Sequence, residues 1–122
     1  MKYALLIYSA PGAHEQAGPT APGITGDWVT YTRAMKEAGV LVGAEQLTDT
    51  DSATSVRVRA DDRLLTDGPF METKEHLMGF YLVDVPNLDT ALEWAARMPA
   101  AAFGTVEVRA VKTGMPWRAV LD

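Results

Sequence analysis

Cysteine is absent from the chain, which excludes a disulfide framework, a thiolate nucleophile and a cysteine-type zinc centre. That composition suits a reducing cytoplasm, where the protein is expected to reside. Histidine is scarce: His14 and His76 are the only two, far apart and without the HxH or HxxxH spacing of a metal site, so no metal is expected. Basic residues are also in deficit, 11 Lys and Arg against 16 Asp and Glu, giving a net charge of -5. A protein that displaces counterions from a phosphate backbone needs a basic face, so direct nucleic-acid binding is not expected. There is no long apolar run. The stretch from Tyr3 to Tyr8 falls far short of a membrane span and reads as a strand, so no membrane association is expected. Neither a Walker loop nor a GxGxxG between strand and helix is present, and no flavin, nucleotide or other cofactor is expected.

What is present is apolar substance for one core. At 122 residues and 48% hydrophobic, the chain is one domain long and able to fold without metal or disulfide staples. The segment Ser9 to Gly26 interrupts it with three prolines and four glycines and no helical or strand period. Joining a strand to a helix at that length, it is a candidate flap over a site.

Beyond it, Trp28, Tyr31, Thr32 and Met35 recur at i, i+3, i+4 and i+7 and predict a helix over Asp27 to Ala38. Asp27 or Thr25 is placed to cap its start, and Gly39 to end it in the left-handed conformation. Val40 to Ala44 reads as a buried strand. After the polar turn Asp49 to Ala53, Val56 and Val58 alternate with Ser55, Arg57 and Arg59, predicting one dry and one wet face. With the turn at Ala60 to Arg63 and the strand-like Leu64 to Thr66, this is a β-hairpin. Leu77 to Val85 is a further strand. A second helix runs from Leu88 to about Met98, with Asn87 as its cap, Leu88, Ala91, Leu92 and Ala95 on one stripe, and Pro99 as its stop. Thr105 to Val111 closes the order as a strand that alternates Val106, Val108 and Ala110 against Thr105, Glu107 and Arg109.

This order is laid out as an α+β, ferredoxin-like split βαβ sheet with both helices on one face and an inserted hairpin. The opposite face then needs water or a partner chain. In the first strand both sets of alternating residues are apolar, which points to a homodimer packed sheet to sheet.

Asp67-Gly68-Pro69-Phe70, followed by Glu72, Lys74 and Glu75, carries a specific resemblance. Together with Gly39 to Glu45, Gly79 to Leu82, Ala91 to Ala96 and Val106 to Arg109, in that order, it resembles the DGPF branch of the YCII-like family over nearly the whole chain apart from Ser9 to Gly26. The resemblance implies a dimeric α+β barrel of ferredoxin-like type with no assigned reaction, and for some members a link to sigma-factor regulation. Other YCII-like relatives carry a His on the first helix and an Asp before the Pro after the second, suggested as an acid/base pair. Here Trp28 and Met98 occupy those places, and neither side chain transfers a proton.

Most of the remaining polar candidates have two readings. His14 is a general base if its loop folds over a pocket, and otherwise a solvated loop residue. His76 reads as a surface residue. Asp67 either caps its own Gly-Pro turn through the Phe70 amide or is a catalytic carboxylate. Glu72, Lys74 and Glu75 form either a charged lip or a solvated run. Glu107 and Arg109, two apart on one strand face and joined by Arg57 from the hairpin, are a ligand site in a dimer cleft or an ion-pair network across it. A small-molecule-binding or regulatory module fits these features. The alternative is a cofactor-free isomerase, lyase or monooxygenase-like enzyme for a small anionic or aromatic substrate, with Asp67, Glu107 or Glu45 as base and Arg109 or Arg57 holding an anion. A pure protein-interaction module is the third reading, and requires an exposed apolar patch.

Overall fold

The computed structural model describes residues 1–13, 25–69, 71 and 73–122. In chain order these give strand β1 (Lys2–Ser9), helix α1 (Thr25–Glu37), β2 (Leu41–Gln46), β3 (Thr54–Arg59), β4 (Asp62–Asp67), β5 (His76–Asp84), helix α2 (Leu88–Arg97) and β6 (Thr105–Ala110). Short 3₁₀ turns occupy Thr50–Ser52, Pro99–Ala102 and Pro116–Leu121. The main sheet has the order β2-β5-β1-β6 with every neighbouring pair antiparallel, so β5 lies between the two strands that α1 connects. That split βαβ arrangement is compatible with a ferredoxin-like α+β fold.

Strand alternation builds the core. Tyr3, Leu5 and Ile7 of β1 face the helices, opposite Val83, Tyr81 and Gly79 of β5, and Leu5 and Ile7 stand opposite Val108 and Val106 of β6. Tyr31 and Met35 from α1 and Ala91, Trp94, Ala95 and Met98 from α2 and its end cover that face, so both helices lie on one side. The opposite face carries Ala4, Leu6, Phe80 and Leu82, half-buried and paired as Ala4 with Leu82 and Leu6 with Phe80.

Local signals act as the residues dictate. Gly39 sits at φ +74°, the Val40 amide donates to the Met35 carbonyl and the Gly39 amide to that of Lys36, which is a Schellman end to α1. Asn87 caps α2, its side-chain oxygen accepting from the Thr90 amide at 2.9 Å. Asp27 falls in the first turn of α1, which begins at Thr25.

Three expectations are corrected. The buried stripe of α2 is Ala91, Trp94 and Ala95, continued by Met98 just past its end, while Leu88 and Leu92 are exposed; burying the large Trp94 ring removes more apolar surface from water than burying either leucine. Val40–Ala44 is not a buried strand: β2 is an edge, and Val42 is exposed at an irregularity in its pairing with β5. Among the described residues the hairpin has no dry face. β3 and β4 form their own two-stranded sheet, and Val56 and Val58 are each 60% exposed. Its turn residues Ala60 and Asp61, at φ 50° and 66°, form a left-handed two-residue turn.

Candidate functional site

α2 packs over β1 and β6, whereas α1 lies toward β2, and an open groove of about 1220 Å³ remains on the helix side beside that edge strand. Its helical wall is one stripe of α1, Trp28, Thr32 and Lys36 at i, i+4 and i+8, flanked by Val29 and Arg33. Ile7, Ser9, Gly79 and Tyr81 contribute from β1 and β5, and Ala44 to Asp49 form the far wall. Ser9 is the one buried polar residue among the described residues.

Gly79 is required by packing. A Cβ there would lie 2.7 Å from the Glu45 carbonyl oxygen and 3.3 Å from the Gln46 Cα, so only glycine lets β2 and β5 approach so closely.

An aromatic cluster backs the α1 wall. Trp28 and Tyr81 stack with centroids 6.1 Å apart and planes at 11°, and Tyr31 meets both edge-on at 6.3 and 5.5 Å. Tyr31 continues edge-on to Trp94 at 6.0 Å, whose ring carries the Arg97 guanidinium at 4.3 Å. The buried Tyr31 hydroxyl donates to the Trp94 carbonyl at 2.8 Å. Burial first, then the neighbouring Tyr81, push its pKa well above the usual tyrosine range against an opposing effect of Arg97.

Thr32 Oγ1 and the Tyr81 hydroxyl are 2.7 Å apart, and either is able to donate. Two hydroxyls carry two protons and their mutual bond uses one, so one O–H remains to serve another acceptor. Beside this pair, Arg33 and Lys36 are exposed and make no ion pair with any described residue.

A YCII-related domain matches residues 1–118. An uncharacterized protein of Rhizobium meliloti (strain 1021) is 41% identical over 85 residues, 68% of each chain. The chain belongs to the YCII-related family.

Of the two positions that the YCII-like resemblance singles out, Trp28 lies on the groove wall and Met98 is buried in the core. The groove of this YCII-related protein therefore presents an aromatic ring where an imidazole was suggested. Glu45 borders the groove, but it pairs with Phe80 while its neighbour Ala44 pairs with Tyr81, so alternation turns the Glu45 side chain toward the opposite face. Glu107 and Arg109 are exposed on that opposite face, across from Leu6 and Ala4, and form no ion pair with each other. Arg57 belongs to the separate hairpin sheet, paired in register with Leu64. Asp67 ends β4 opposite Thr54, exposed; the turn after it is held by the Gly68 amide on the Ala53 carbonyl at 2.6 Å and by Ser55 Oγ on the Gly68 carbonyl at 2.9 Å. Lys74 is exposed. His14, Glu72, Phe70 and most of the expected flap lie outside the described residues. His76 is half-buried, its Nδ1 2.8 Å from Thr50 Oγ1. Among the described residues no three His, Asp or Glu side chains gather as a metal site, and no helix is long and apolar enough to cross a membrane.

Sequence reasoning did not single out Thr32, Arg33, Lys36 and Tyr81 as site residues. The i, i+4, i+8 spacing of Trp28, Thr32 and Lys36 is the signal that was there: an aromatic, a hydroxyl and a cation on one helical stripe is no core pattern.

Proposed function

We propose that this YCII-related protein is a small-molecule-binding module whose site is the groove between α1 and β2. The observation that carries this reading is the groove's make-up: an open space backed by stacked Trp28 and Tyr81 and edged by a hydroxyl pair with a spare proton. Concave sites of this kind, mainly apolar with a few placed polar groups, are where small ligands bind. The enzyme reading has less support, since Asp67 and Glu107 are exposed and sit in different sheets, away from the groove. A second copy of the chain is the proposed cover for the Ala4, Leu6, Phe80 and Leu82 face, giving a dimeric α+β barrel.

The test is amide and indole NMR titration with a panel of small aromatic acids, alcohols and amines. Shifts centred on Trp28, Thr32, Gly79 and Tyr81 are the expected result. Shifts centred instead on Ala4, Leu6, Phe80 and Leu82 would move the site to the other face and end this reading.

A further inference from the structure

The groove's polar groups are unevenly distributed. On the α1 wall Arg33 and Lys36 are cations with no carboxylate partner among the described residues, one helical turn apart and next in line to Thr32. The Thr32 and Tyr81 hydroxyls add a spare O–H on the same side. The two cations only donate and the hydroxyl pair has a proton to spare, so this wall is short of negative charge. The far wall carries the Asp49 carboxylate, which disfavours a second anionic group there. The combination suits a single compact anion held toward α1 and disfavours an extended polyanion that reaches both walls. Trp28, half-exposed with one face on Tyr81, supplies the flat apolar surface beside it.

We propose that the groove takes a small aromatic monocarboxylate, its ring against Trp28 and its carboxylate between Arg33, Lys36 and the spare hydroxyl proton of the Thr32–Tyr81 pair. This rests on the groove being the binding site and adds the class of ligand. The ring selects a planar partner through stacking, and the two cations with the hydroxyl select charge over mere polarity. Because both cations are exposed, their joint contribution is modest and salt-sensitive, about fivefold in affinity.

The test compares benzoate, benzyl alcohol and cyclohexanecarboxylate by NMR titration of the full chain, followed at the Trp28 indole. Benzoate is expected to bind tightest, to weaken about fivefold in the Arg33→Gln, Lys36→Gln double variant, and to weaken with added salt, while benzyl alcohol is indifferent to both. Trp28→Leu, followed at the Gly79 amide, is expected to erase the preference for benzoate over cyclohexanecarboxylate. Both α1 cations are on the surface, so the double variant is expected to keep the wild-type melting temperature, and Arg33→Lys is expected to retain most of the benzoate affinity. If benzoate and benzyl alcohol bind the groove equally, or the double variant binds benzoate as wild type does, the monocarboxylate class is wrong and the groove stands. If none of the three shifts the Trp28 indole or the Gly79 amide at its highest soluble concentration, the groove reading itself falls.

Discussion

Trp28 on the first helix and Tyr81 on a central strand stack with planes only 11° apart, and the Tyr81 hydroxyl reaches past that stack to Thr32, one helical turn beyond Trp28. One strand residue thus fixes two adjacent positions of α1. Tyr81→Phe keeps the ring and deletes the bond. It is expected to cost about 1 kcal/mol in urea unfolding, and a double-mutant cycle with Thr32→Val to give a coupling of about that size. Zero coupling would mean that the hydroxyl pair does not form in solution.

Tyr31 shows what burial does to a titrating group. Its pKa is raised above the usual value near 10, so the folded state holds the proton that the unfolded chain releases. Its contribution to stability is complete below about pH 10 and declines as pH rises beyond that, because the unfolded state then binds fewer protons. Phenolate absorbance should lose, in Tyr31→Phe, a component that ionises above the usual tyrosine range. The fall in melting temperature at alkaline pH should be shallower in Tyr31→Phe than in wild type.

Gly79 and Gly43 make a matched pair. A Cβ at Gly79 meets the Glu45 carbonyl at 2.7 Å, whereas one at Gly43 meets nothing within 4 Å. Gly79→Ala should therefore force β2 from β5 and cost about 1–3 kcal/mol, with Gly43→Ala nearly neutral. Equal losses in the two would contradict the close strand approach.

Among the described residues the turn after β4 is held by Ser55, and the Asp67 cap on the Phe70 amide lies outside them. Ser55→Ala is expected to cost about 1 kcal/mol and Asp67→Ala less than about half of that, read as local hydrogen exchange in the hairpin. The reverse ranking would return Asp67 to the capping role that its motif suggests.

The face bearing Ala4, Leu6, Phe80 and Leu82 is expected to be buried in a homodimer. Sedimentation should give a dimer for the wild type and a folded monomer for Leu6→Asp, since a charge buried without a partner at such a contact is costly. A folded wild-type monomer at micromolar concentration would refute the dimer.

Much of the architecture was readable in the sequence because it rests on local physics. Gly39 ends α1 since only a residue free of Cβ strain takes φ +74° readily, and Asn87 starts α2 since its short side chain reaches the Thr90 amide. Val106 and Val108 pack toward the helices because strand side chains alternate. What tertiary structure alone decided was which apolar faces found cover. Val56 and Val58 have the same alternation as Val106 and Val108, yet their hairpin stands apart from the main sheet and they remain exposed. The site belongs to this second kind. Trp28 and Tyr81 are far apart in sequence and no local pattern links them; they meet because β5 threads between β1 and β2 under α1, and because Gly79 lets the edge strand close up beside them.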